Sequence, residues 1–147
     1  MMLVRRAGVG DLDDVAPLFD GYRQFYGQPS DLAAARAFLA ERLRRDESVI
    51  FVAIADDVTL GFTQLYPSFS SVSVRRLWIL NDLFVSPAAR RGGVGRRLLE
   101  RARDWAVETD AKGLTLTTAL TNSAARSLYE SCGWRRDDEF AHYQLLV

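Results

Sequence analysis

A chain of 147 residues suits one compact domain, and its 48% hydrophobic and 26% charged residues belong to a folded protein rather than a disordered one. Nineteen basic residues balance nineteen acidic ones, so no general attraction to nucleic acid or an anionic membrane is expected. A single cysteine, Cys132, excludes an intrachain disulfide and a thiolate zinc cluster, and a single histidine, His142, speaks against a histidine metal site or a Ser-His-Asp triad. Both read as structural residues, Cys132 a small buried apolar side chain and His142 part of a closing strand. No metal is expected. The N-terminal MMLVRRAGVGDLDD contains no apolar run long enough for a signal peptide or membrane span, so a cytoplasmic protein is expected.

In chain order, Met2 to Ala7 predicts an opening strand. Asp11 is placed as the N-cap of a helix through Val15, Leu18, Phe19 and Tyr22. A turn at YGQPSD leads to a second helix, with Leu32, Ala35, Phe38, Leu39 and Leu43 at helical spacing. Ser48 to Ala55 is a continuous apolar run with the character of a buried strand. Asp56–Asp57 then predicts a turn and the next strand ends at Pro67, so that YPSFSSVSVRR (Tyr66 to Arg76) is largely a polar loop. A long strand follows from Val74 to Ser86, then a glycine-rich loop and a helix from Val94 to Val107. The remainder reads as a strand at Gly113 to Leu120, a helix at Asn122 to Cys132 and a strand at Phe140 to Val147. The result is a single mixed α/β domain spanning residues 1–147, of order β-α-α-β-β-β-α-β-α-β.

The segment ARRGGVGRRLLERA (Ala89 to Ala102) joins a strand to an amphipathic helix whose Val94, Leu98, Ala102, Trp105 and Ala106 would face a sheet. Unpaired N–H groups and the helix dipole at such a start favour a phosphate. Gly92, Gly93 and Gly95 allow close approach to the main chain, and Arg90, Arg91, Arg96 and Arg97 add charge-assisted donors. A Walker A loop is excluded because no Gly-Lys-Ser/Thr occurs, and a dinucleotide loop because the next strand, TLTTAL, ends without a carboxylate.

What fits is R-x-x-G-x-G, carried by Arg90, Gly93 and Gly95, and this resembles the acetyl-CoA motif of the GNAT N-acetyltransferase superfamily. TNSAARSLYESCGW (Thr121 to Trp134) resembles the second signature of that superfamily, with Trp134 where phenylalanine is commoner. Asn122 caps this helix and Gly133 ends it. The resemblance implies a GNAT fold, a mixed and mostly antiparallel central sheet flanked by helices. It implies that Leu83, Phe84 and Val85 lie along the pantetheine of acetyl-CoA, that Arg90, Arg91, Gly92, Gly93, Val94, Gly95 and Arg96 surround its pyrophosphate, and that Asn122 helps bind the cofactor.

Acyl transfer to an amine then needs an oxyanion donor, expected at a backbone N–H near Val85, and an acid for the leaving thiolate. Tyr129 holds the position of that acid in the family. The resemblance places in the strand ILNDLFV a carboxylate that strips the amine through water. Side chains alternate across a sheet, so only one of Asn81 and Asp82 faces the substrate unless a bulge intervenes, and Asp82 is the preferred base. Tyr22, Phe25 and Tyr26, between the first two helices, are candidates for an aromatic acceptor wall beside Asn81. LNDLFV is similar to the matching strand of polyamine acetyltransferases, but Asn81 replaces one of their paired acids, and small histone-acetyltransferase-like relatives share an N-D-L strand. The acceptor is therefore expected to be a primary amine on a small molecule or peptide, and a homodimer is expected from family habit. A non-catalytic acyl-CoA-binding module is the alternative, and it would not need Tyr129 or Asp82.

Overall fold

Alternation along the strands divides the side chains of a central sheet between two sets of helices. The computed structural model describes residues 1–147 as two compact units, Met1–Thr117 and Thr118–Val147. The first unit holds β1 (Leu3–Arg6), α1 (Leu12–Phe25), α2 (Leu32–Arg44), β2 (Val49–Ala55), β3 (Val58–Ser70), β4 (Arg75–Val85), α3 (Val94–Glu108) and β5 (Leu114–Thr115). Single 3-10 turns precede α1 and follow β4. The strands lie in the order β1-β2-β3-β4-β5, with every pair antiparallel except β4 with β5.

Ile50, Val52 and Phe62 join Val15, Ala16, Phe19, Ala35 and Leu39 in a core beneath α1 and α2. The alternate residues Phe51 and Trp78 face α3, where both rings pack against Trp105. Val94, Leu98, Leu99, Ala102 and Ala106 complete the buried stripe of α3, so the helices cover both faces, as the sequence predicts for a mixed α/β fold. Asp31 caps α2, its Oδ1 accepting from Ala34 N at 3.0 Å. Asp56 and Asp57 adopt left-handed φ of 50° and 62°, the geometry of a tight hairpin turn between β2 and β3.

The second unit contains α4 (Ser123–Ser131) and no strand. Asn122 caps α4 through a 3.4 Å bond from Ala125 N, and Gly133 follows it at a left-handed φ of 91°.

Three expectations are corrected. β3 does not stop at Pro67 but continues to Ser70, and YPSFSSVSVRR is a hairpin whose turn spans only Ser71–Val74. Pro67 is tolerated because β2 ends opposite Leu65, leaving β3 with β4 as its single neighbour there. The strand expected over Gly113 to Leu120 is reduced to two residues, and the closing strand over Phe140 to Val147 does not form. Alternating apolar letters describe a strand only where a partner edge exists, and residues 140–147 are exposed throughout.

Candidate active site

The site is built around an irregularity in the β3–β4 ladder. Gln64 pairs with Asp82 but Leu65 pairs with Leu80, so Asn81 is an extra residue on β4, a β-bulge. The bulge lets two successive polar side chains meet, since Asn81 Nδ2 donates to Asp82 Oδ1 at 2.7 Å. From the opposite strand Gln64 Nε2 donates to Asp82 Oδ2 at 2.6 Å, while Thr63 Oγ1 donates to Asp82 O at 2.8 Å. Gln64 and Asp82 are 0% and 1% exposed. Burial raises the Asp82 carboxyl to about 6, against the opposing pull of the Asn81 and Gln64 hydrogen bonds. Asp82 thus combines enclosure with a titration range suited to taking a proton near neutrality.

Gln64 and Tyr66 were not among the residues singled out in the sequence. The signal was present, because in GFTQLYP they share a face with core residue Phe62, and a glutamine at such a position needs a partner. Burial, and then the Asp82 charge, push the Tyr66 hydroxyl pKa up, so this phenol stays neutral.

Beyond the bulge β4 opens. β5 pairs with it only at Trp78↔Leu114 and Ile79↔Thr115. Ser86 N donates to Leu60 O at 2.8 Å, and by alternation Leu83 and Val85 turn their N–H and C=O groups away from β3. That open edge runs into the glycine-arginine loop. Arg91 and Gly93 both take left-handed φ, 68° and 80°, and Gly93 is the N-cap of α3 with no side-chain cap. Gly92 and Arg96 are exposed, Gly95 is half-buried, and Val94 is buried toward the sheet. The loop thus presents the start of a 15-residue helix together with arginines, a cradle suited to phosphate.

Arg90 and Arg97 make bonds outside it. Arg90 Nε donates to Val85 O at 3.1 Å and its guanidinium lies 5.5 Å from the Phe84 ring centroid. Arg97 donates to Met2 O at 3.4 Å.

On the α1 side, Tyr22 donates its hydroxyl to Asn81 O at 2.9 Å and packs on Phe19, Phe62 and Tyr26. Phe25 and Tyr26 are exposed and meet edge to face, so only Tyr22 of the three is part of the core packing. Asp20 fixes the adjoining α1–α2 turn, accepting from Ser30 Oγ at 2.6 Å and Asp31 N at 2.8 Å, and these bonds lower its pKa. A groove of about 480 Å³ runs between Pro17, Leu18 and Gly21 on α1 and Phe84, Ser86 and Arg90. In the second unit, Tyr129 is half-buried on α4 with its ring centroid 6.1 Å from that of Trp134.

Strands β2 to β5 of the mixed sheet, the bulge in β4 and the glycine-rich start of α3 lie within residues 14–134, which the family model for the acetyltransferase (GNAT) family matches. The chain belongs to that family. It is 53% identical to an uncharacterized N-acetyltransferase, YhfO, of Bacillus subtilis strain 168, over 99% of this chain and 98% of the relative. Among solved structures, a probable acetyltransferase superposes with a TM-score of 0.94 at 48% identity, covering 99% of this chain and 97% of the other. An aminoglycoside N-acetyltransferase solved in complex with CoA shares the fold, with a TM-score of 0.80 at 22% identity over 99% and 95% of the two chains.

Proposed function

We propose that this protein transfers an acetyl group from acetyl-CoA to a primary amine of a small molecule or peptide, by direct attack within a ternary complex. The observation that carries this reading is the β4 edge left without a strand partner after Ile79 and continuous with the loop at the start of α3. Leu83 and Val85 offer main-chain groups to an extended amide-bearing arm, as a neighbouring strand would. Arg91, Gly92, Gly93, Gly95 and Arg96 hold the pyrophosphate against the first turn of α3, beside Val94, with Phe84 and Arg90 bracing the strand end and Asn122 assisting. Acetyl-CoA supplies an activated thioester acyl group.

Asp82 takes a proton from the incoming ammonium so that the amine nitrogen forms the new C–N bond. A backbone N–H near Val85 steadies the oxyanion, and as it collapses the C–S bond breaks. Tyr129 gives its proton to the leaving sulfur and is restored by the second proton that the newly acylated, cationic nitrogen sheds to become the amide. Tyr22, Phe25, Tyr26 and Asn81 form the acceptor wall, consistent with the exposed rings of Phe25 and Tyr26. Aminoglycosides are one acceptor class to include, since a protein of this fold acts on them. The exposed apolar side chains Phe140, Tyr143, Leu145 and Leu146 support a homodimer as the working form, which sedimentation tests.

The deciding experiment is CoA thiol release from acetyl-CoA across polyamines, amino acids, aminoglycosides, peptide N-termini and lysine peptides. Release with one class is expected. Silence with all of them, while acetyl-CoA still raises the melting temperature, would turn the reading toward an acyl-CoA-binding module. Tyr129→Phe should keep CoA affinity and lower kcat by about 10²-fold or more; unchanged kcat removes Tyr129 as the acid. Gly93→Val, which puts a β-branched residue at a left-handed φ of 80°, should abolish CoA binding by calorimetry.

A further inference from the structure

Gln64 is wholly buried on β3, opposite Asp82 in the ladder, and one end of its amide is engaged at 2.6 Å while Oε1 has no hydrogen-bond partner. A buried amide with its acceptor unused is a poor choice for packing alone, because an apolar side chain of similar volume leaves nothing unsatisfied. Its orientation has a clear cause: the acidic partner accepts, so Nε2 must face Asp82 and Oε1 must turn away.

The other donor to Asp82 is different in kind. Asn81 is exposed, and water can take over its bond. Nothing at the surface can replace Gln64.

We propose that Gln64 is a positioning residue for the transfer reaction, fixing the Asp82 carboxylate in its rotamer and holding it in the ionised form that accepts the proton of the amine. The inference rests on the reading of Asp82 as the base. The titratable groups around Asp82 are Tyr66 from the same face of β3 and Tyr22 from α1, whose hydroxyl lies on Asn81 O. Arg42 of α2 acts on Tyr66 and is paired with Glu47 at 3.1 Å. The hydrogen bonds that oppose protonation of the carboxylate come from Asn81 and then Gln64, and of these two only Gln64 is buried.

The test uses Gln64→Met, close in volume and lacking the donor, in the full chain. The Asp82 carboxyl titration is followed by carbon NMR, and the acid limb of kcat/KM against an accepted amine, with CoA affinity as the control. The Asp82 midpoint, about 6 in the native protein, should rise by roughly one to two pH units, and the acid limb should rise with it. A folded variant with an unmoved midpoint overturns the proposal. Gln64→Glu keeps the side-chain shape, should also raise the midpoint by setting a second carboxylate beside the first, and serves if Gln64→Met does not fold.

Asp82→Asn separates the two ideas. Native turnover and pH profile in that variant would sink the base reading and leave Gln64 nothing to position. Lost turnover there, combined with an unmoved limb in Gln64→Met, would sink the Gln64 role alone.

Discussion

Burying Asp82 couples the site to the stability of the fold. Its folded pKa of about 6 lies about 2 units above the ordinary carboxyl value of 3.8. For a group raised in this way, the stabilisation is complete below the unfolded value and is lost as pH rises through the folded one. Two units correspond to roughly 3 kcal/mol. Asp82→Asn removes that loss, and the unpaired Gln64 Oε1 can turn to accept from the new amide. The stability of Asp82→Asn relative to the native protein should therefore improve by roughly 3 kcal/mol between about pH 4 and about pH 8, read from urea melts at the two values. An equal difference at both would mean the carboxyl is not raised. Asp82 stood out in the sequence as the one carboxylate of its strand, and the structure buries it against Gln64. The bulge that brings Asn81 alongside it was not legible there, because a bulge is a property of two paired strands and leaves no mark in one of them.

At the scale of elements, the open end of β4 depends on a residue outside it. A Cβ added to Gly61 of β3 would stand 2.8 Å from Phe84 O, 3.2 Å from Val85 Cα and 3.2 Å from a Val94 methyl. Only glycine lets β3 approach so closely where β4 turns into the loop. Gly61→Ala should cost about 1–3 kcal/mol in a denaturant titration, and it should weaken CoA binding by displacing Phe84 and Val85. Native CoA affinity in that variant would show that this end of β4 does not hold the ligand. The helices were legible almost to their ends because their signals are local: the cap Asn122, Gly133, and apolar residues at helical spacing. Asp11 stands at the start of α1 but makes no side-chain cap bond, and the cap of α2 is Asp31, in the turn before it. The strands were less legible. Pro67 reads as a terminator, yet it sits within β3 because no strand faces it on that side.

For the whole molecule, a formal charge of zero means that attraction for a polyanionic ligand must come from a local field. In the proposed reading, exposed Arg91 and Arg96 at the start of α3 supply it. CoA affinity should therefore fall several-fold on going from about 0.01 M to about 1 M salt, as the screening length shrinks from roughly 30 Å to roughly 3 Å. Calorimetry at the two salt levels checks this, and salt-independent binding would move the phosphates away from the loop.

The sequence by itself determined the family, the helices and the glycine-arginine loop at the start of α3, because each is written in residues close together along the chain, where glycine, caps and periodicity act locally. Tertiary structure alone decided that Gln64 meets Asp82, that Asn81 is the extra residue, that β4 opens after Ile79, and that residues 140–147 form no strand. Each of these depends on which backbone groups find a partner on another segment, and pairing over that distance is fixed only when the sheet assembles.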